Sequence, residues 1–409
     1  MSPYLIVYLF LLAAAAVSFI KKKDYNFLFI LSALVLTLFL VLRYGQGTDY
    51  FSYMRLYEEA PGGIIPDESF WTKNGNVEIG WKLLEYAFQM INLPFWAFMA
   101  VIGAGSMLLL CRFAVKCCPG ARTFALLLAF PTWYLTYLFS GVRQGLTICV
   151  FLGLMLPFLL EKKYWQYFAI GIACLFIHKA SFIVLAAPVV MLLSQKAIWW
   201  ILGGCAAAGV AVSIPLVSGL LGKISLALGK NYSFNGFGDV SWIAAAERLV
   251  TFAVIAFVFY KYRKAQNEDK TADLIFKIYC YGLGVYLLLI SSPLFASRMM
   301  FPLKMTEIIL AGIFIVKMPK WRVAVFIFFA GLTAVMTWKN IGSYIEQGGY
   351  DNTVQQYPYV SVLQNRQTIL AWRDPKMVAD AVGHRILGRA IGIPDIYLVK
   401  ENENVGEIN

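Results

Sequence analysis

The feature that most constrains this chain is a succession of long apolar runs separated by charged connections. A helix crossing the hydrocarbon core of a bilayer needs about 20 apolar residues. By that measure roughly twelve runs qualify: 4–20, 25–42, 95–114, 122–139, 142–160, 163–178, 180–194, 197–214, 242–260, 273–292, 298–316 and 321–338. With 60% hydrophobic and 14% charged residues among 409, and a mean hydropathy of +0.67, a soluble core could not hide the apolar surface. The expected fold is an all-α polytopic integral membrane protein of about twelve transmembrane helices. Its bundle spans 1–338, with long connections at 43–94 and 216–241 and a polar tail over 339–409. The sixth and seventh runs are short, with His178 and Lys179 between them.

Charge sets the expected orientation. The run 4–20 has no basic segment ahead of it and Lys21-Lys22-Lys23 behind it, so it reads as a retained first span rather than a signal peptide. Every second connection is basic: Lys21 to Lys23; Arg112, Lys116 and Arg122; Lys162 and Lys163; Lys196; Lys261, Arg263, Lys264 and Lys270; Lys317, Lys320 and Arg322. The positive-inside rule makes these connections cytoplasmic. Both termini and the long connections then face outward, which in a Gram-negative cell is the periplasmic side of the inner (cytoplasmic) membrane. The net charge of +12 follows from this topology and does not point to nucleic acid. The seven cysteines form no C-x-x-C pair, so neither a disulfide framework nor a zinc site is indicated. No repeat of fixed period is present.

Long connections carry function more often than fold. The stretch 42–57 follows directly on an apolar run. In it Gly45 and Gly47 permit a sharp turn, and Asp49, Tyr50, Tyr53, Arg55 and Tyr57 gather a carboxylate, phenols and a guanidinium. Those groups suit a sugar or phosphate site. Residues 77–90 have helical periodicity, with Trp81, Leu84 and Phe88 on one face, and suit a helix at the membrane surface or one packed on the bundle. The second connection, with Gly222, Gly229, Gly236, Gly238, Tyr232, Phe234 and Phe237, suits a flexible rim; the tail holds one amphipathic stretch near 377–391.

A second set of ionisable residues lies opposite the basic connections: Arg43, Asp49 and Arg55 after the second span, Arg143 opening the fifth, His178 and Lys179 ending the sixth, Glu247 and Arg248 a turn inside the ninth, and Arg298 opening the eleventh. Charge beside hydrocarbon costs several kcal/mol unless paired or hydrated, so such residues are functional candidates. They are expected at one rim rather than through the bundle, unlike the deep charges, broken helices and internal repeats of a lipid-linked-sugar transporter or flippase. Gathered cations suit a diphosphate leaving group, because guanidinium forks bind phosphate oxygens bidentately and stay charged. They stabilise the charge that develops as the bond to phosphate breaks, with no cofactor or metal required. A sugar hydroxyl acceptor needs a base. His178 fits by type, since histidine titrates near neutrality; Asp49, Glu78 and Glu247 are the carboxylate alternatives. Each residue also has a plainer reading. Arg43 and Arg298 snorkel to headgroups, His178 is an interfacial histidine, Glu247 and Arg248 pair internally, and Tyr50, Tyr53, Tyr57 and Trp71 form an interface belt or stack on sugars.

The chain resembles the EpsG family of polysaccharide biosynthesis proteins, which are similar to Wzy-type O-antigen, capsule and exopolysaccharide polymerases. The resemblance rests on R-Y-G-Q-G-T-D-Y-x-x-Y over 43–53, E-I-G over 78–80, S-G-V-R-Q-G-L over 140–146 with its Gln144, H-K-A-S over 178–181, the Glu247-Arg248 pair and S-R-M-M-F-P-L over 297–303. It implies an integral-membrane glycosyltransferase of the GT-C type. Its donor and acceptor are undecaprenyl-diphosphate-linked oligosaccharide repeats, and its partners include a chain-length regulator and a flippase. Within that implication Arg43, Tyr50, Tyr53, Arg55, Glu78, Arg143, Gln144, Lys179, Arg248 and Arg298 bind substrate, and His178, Asp49 or Glu247 acts in catalysis. An O-antigen ligase shares the donor site and differs in the acceptor.

Overall fold

The computed structural model describes residues 1–58, 77–214, 240–265, 269–348 and 352–364, with Val217, Gly219 and Lys223. Trp71, the expected rim residues Gly222, Gly229, Tyr232, Phe234, Gly236, Phe237 and Gly238, and the stretch 377–391 lie outside the described residues.

Hydrocarbon offers no partner for backbone N–H and C=O groups, so an apolar run must satisfy them internally as helix. The apolar runs are accordingly helical. α1 (Pro3–Ile20) and α2 (Asn26–Val41) are followed by the two short helices of the first long connection, α3 (Tyr50–Glu58) and α4 (Ile79–Met90). Next come α5 (Phe95–Cys117), α6 (Arg122–Ala129), which continues as a π-helix over Phe130–Leu138, and α7 (Val142–Leu160). α8 (Tyr164–Leu175), α9 (Lys179–Leu192, its first half 3-10 helical), α10 (Gln195–Val212) and α11 (Trp242–Ala265) follow. α12 (Lys270–Leu288), α13 (Pro293–Lys304), α14 (Glu307–Lys317) and α15 (Arg322–Gly348) complete the set. Among the described residues, eight helices are long and apolar enough to cross a membrane, α13 and α14 counting as one; the runs at 25–42, 122–139, 163–178 and 180–194 form shorter helices.

α6 and its π-helical extension form the axis of the bundle, and nearly every side chain from Thr123 to Phe139 is buried. A π-helix aims its carbonyls away from α-helical partners, and here other elements supply donors. Asn340 Nδ2 reaches the Pro131 carbonyl at 2.5 Å, the Tyr344 hydroxyl donates to the Leu135 carbonyl, and an Arg43 nitrogen donates to the Leu138 carbonyl at 3.1 Å. Asn340 and Tyr344 are four residues apart on α15, as are the carbonyls they meet, so α15 zips along the π-helix.

The basic connections meet at one end of the bundle. Arg122 pairs with Asp24 at 2.6 Å, Lys317 with Asp269 at 2.7 Å, and Arg322 donates to the Phe19 carbonyl at 2.5 Å. At the other end, residues 352–364 return across α1 and α2. Tyr44 N–H donates to the Val360 carbonyl at 2.9 Å, Val362 N–H to Leu42 at 2.8 Å, and the Tyr359 ring stacks on Phe39 at 4.2 Å. The start of the expected polar tail is thus packed structure, and α15 runs past residue 338 to Gly348. α4 does not lie apart at a membrane surface. Its Trp81 is fully buried beside Tyr53 and Phe98, and Lys82, Glu85 and Tyr86 are buried with it.

The turn between α2 and α3 depends on Gly47. Its φ of +97° is left-handed, and a Cβ there would run into the Phe139 carbonyl. Gly47→Ala is expected to destabilise the folded protein by about 1–3 kcal/mol, read as a lower thermal midpoint in detergent.

Candidate functional site

Two of the short motifs interlock through a backbone contact. The Gly80 N–H donates to the Phe176 carbonyl at 2.7 Å, and a Cβ on Gly80 would lie 2.6 Å from that oxygen. Only glycine permits this approach. It seats Glu78, one residue before α4, against the end of α8. Glu78 Oε2 then bonds Arg143 at 2.5 Å, while Oε1 accepts the Lys179 N–H at 3.0 Å and lies 3.5 Å from His178 Nδ1. The Tyr53 ring lies 5.8 Å from the Arg143 guanidinium, so α3, α4, α7 and the α8–α9 break converge on one carboxylate. Burial alone would raise the Glu78 pKa, but His178, the Lys179 N–H and Arg143 outweigh it and hold the carboxyl at about 2.

A second interlock arises from a proline. Pro302 lies inside α13 and has no N–H, so the Arg298 carbonyl four residues back lacks its helical partner. Gln144 Nε2 fills that place at 2.7 Å. Gln144 adjoins Arg143 on α7, so the bond ties the Glu78 cluster to the middle of α13, because that helix begins at Pro293 and Arg298 does not open it as expected. A narrow cavity with room for about one water lies alongside, lined by Gln144, Thr147, His178, Ser181 and Pro302 among others. The His178 Nε2 atom is buried there without a hydrogen-bond partner among the described residues.

On the far side of α13, Arg248 donates to the Ser297 hydroxyl at 3.0 Å and to the Ala244 carbonyl at 2.7 Å, with its guanidinium 4.5 Å from the Tyr286 ring. Glu247 lies 3.6 Å from Arg248 and 3.1 Å from Lys304, and Lys304 also bonds Glu307 at 2.9 Å. Lys304 and Glu307 are buried within the run expected to be apolar over 298–316. This corrects the expectation that charge is confined to one rim. The signal was present as a K-x-x-E spacing, Lys304 and Glu307, whose members share one helical face.

Other sequence candidates lie elsewhere. Arg43 is buried, donating to the Leu40 carbonyl at 2.8 Å as well as to Leu138, with Phe139 and Tyr50 rings 5.0 and 6.0 Å away. It clasps the ends of α2 and the π-helix and does not snorkel. Tyr50, Tyr53 and Tyr57 are buried against Trp81, Phe95 and Phe98, so they form an aromatic core and not an interface belt. Arg55 is half-buried on α3, off the face that carries those tyrosines, and Asp49 is half-buried beside Thr48. Arg298 and Lys179 are exposed. Among the described residues no group of three His, Cys, Asp or Glu is placed to hold a metal.

The fold and site define a polytopic helical membrane protein with two polar clusters joined through α13: Glu78 with Arg143, His178 and the Lys179 N–H on one side, and Arg248 with Glu247 and Ser297 on the other. The EpsG family matches residues 26–361, most of the chain, and the chain belongs to that family of Wzy-like polymerases. No curated protein and no solved structure matches it. The matched region ends within the returning strap and includes every interlock described above.

Two outcomes follow from this geometry. Gln144→Met leaves the part-buried Arg298 carbonyl without a donor and is expected to cost about 1–3 kcal/mol; adding Pro302→Ala restores the helical N–H and is expected to recover much of the lost thermal stability. Glu85 lies on the buried face of α4, and burial raises its pKa to about 8 despite the Trp81 hydrogen bond and the nearby Arg143 and Lys82. The folded carboxyl keeps its proton while the unfolded one ionises above its ordinary value of 4.5, so stability falls as pH rises from there to about 8. Glu85→Gln is expected to flatten that part of the stability profile.

Proposed function

We propose that this EpsG-family protein polymerises undecaprenyl-diphosphate-linked oligosaccharide repeats at the outer face of the bacterial cytoplasmic membrane, by a metal-independent glycosyl transfer of the GT-C type. The acceptor sugar hydroxyl attacks C1 of the donor sugar. A new C1–O bond forms, the C1–O bond to phosphate breaks, and the lipid diphosphate leaves with the electron pair. The hydroxyl proton passes to a base.

The observation that carries this reading is the Gln144 bond to the Arg298 carbonyl, which joins the Glu78–Arg143–His178 cluster to the Arg248–Arg298 side of the bundle. On this reading Arg298, Lys179 and Arg143 receive the diphosphate, and fixed cations stabilise its developing charge. His178 takes the proton at Nε2, and Glu78 orients the ring through Nδ1, as a carboxylate does for a catalytic imidazole. Arg43 is a clasp for the turn leading to Arg143 rather than a ligand, and Asp49 and Glu247 are not the base. Chain-length control and flipping of the repeats belong to partner proteins.

The buried Glu247–Lys304–Glu307 network favours a second reading, a carrier for the same lipid-linked sugar, because deep ionisable groups often line transport paths. Purified protein given lipid-linked repeats and no energy source is expected to make polymer, which a carrier would not do; no polymer under those conditions overturns the polymerase reading. Arg298→Ala is expected to abolish long chains while single repeats accumulate and the protein stays inserted. Arg298→Lys is expected to impair activity too, since a point charge does not reproduce the guanidinium fork.

A further inference from the structure

Lys304 sits at the end of α13, the helix whose middle carries Ser297 and Arg298. Its ammonium bridges Glu247 of α11 at 3.1 Å and Glu307 of α14 at 2.9 Å. Arg248, next to Glu247, returns to α13 through the Ser297 hydroxyl at 3.0 Å. Two polar ties therefore pin one point of α11, Glu247 and Arg248, to two turns of α13, at Lys304 and Ser297. Arg248 is also held by Glu247 at 3.6 Å, the Ala244 carbonyl at 2.7 Å and the Tyr286 ring at 4.5 Å.

Burying such a network costs several kcal/mol per ion, and apolar residues of similar volume usually serve stability as well or better. The charges balance, Glu247 and Glu307 against Lys304 and Arg248, so the network contributes geometry rather than field. We propose that Lys304 is a positioning residue that, through Glu247, holds Arg248 beside Arg298 so that the two guanidinium groups together grip the diphosphate of the lipid-linked substrate. This rests on the polymerase reading for its substrate class, but it concerns binding and not the chemical step.

The test is binding of undecaprenyl diphosphate and undecaprenyl monophosphate to the full-length protein in detergent, followed by titration, with polymer formation measured separately. Lys304→Met is expected to weaken diphosphate binding about 10- to 100-fold, the range for a misplaced contact group, while monophosphate binding changes little. Lys304→Arg is expected to restore the preference, which a merely structural loss would not do. Because Lys304→Met strands two buried carboxylates, the triple variant Glu247→Gln, Lys304→Met, Glu307→Gln removes the ammonium and both carboxylates together, leaving Arg248 its contacts with Ser297, the Ala244 carbonyl and Tyr286. It is expected to fold, as judged by thermal midpoint and size-exclusion profile, and to lose the same diphosphate preference. Wild-type diphosphate preference in the folded triple variant overturns the inference, as does a wild-type protein that binds the two lipids equally. Failure of the wild type to make polymer overturns the polymerase reading and leaves the binding result to stand or fall by itself.

Discussion

The arrangement at the functional end depends on one hydrogen bond that a proline makes necessary. A carbonyl withdrawn from water without a donor costs free energy, and Pro302 creates one at Arg298. Gln144 supplies the missing donor across the interface between α7 and α13. A defect in one helix thereby becomes a fixed joint between two. Arg143 precedes the donor and Arg298 owns the acceptor, so the joint also sets where two cations of the rim stand.

The same logic recurs along the bundle. The π-helix after α6 offers carbonyls that α15 and Arg43 take up, and the Phe176 carbonyl at the end of α8 is taken by Gly80. Each of these acceptors lies where regular α-helical bonding fails. The departures from ideal helix are where distant segments attach, and the residues that carry the proposed chemistry cluster around those attachments. Glu78, with two oxygens and three partners, is the clearest case: it holds Arg143 and the α8–α9 break in one frame.

Much of this was legible in the sequence. Hydropathy alone located the helical runs, because a long apolar stretch has only one way to satisfy its backbone in lipid. The sorting of charge marked the basic connections, and Arg122, Lys317 and Arg322 do meet at one end of the bundle. The short motifs pointed to Glu78, Arg143, Gln144 and His178, which the structure brings together. The packing of Arg43 and the tyrosines of 50–57 is not legible in the sequence, which does not reveal that a guanidinium bonds two carbonyls or that phenols face Trp81. Lys304 and Glu307 do not stand out in the sequence because hydropathy averages dilute two charges in a long apolar run.

The sequence by itself determined a helical membrane chain, its approximate helix positions and the residue types available for binding phosphate and moving a proton. Those follow from local composition and from the obligation to satisfy backbone groups within each helix. Only the tertiary structure decided that Gln144 answers Pro302, that Gly80 lets Glu78 reach Arg143 and His178, and that Lys304 joins two helices through their carboxylates. Such pairings link residues far apart in the chain, and which orphaned donor meets which orphaned acceptor is settled by packing rather than by neighbours in sequence.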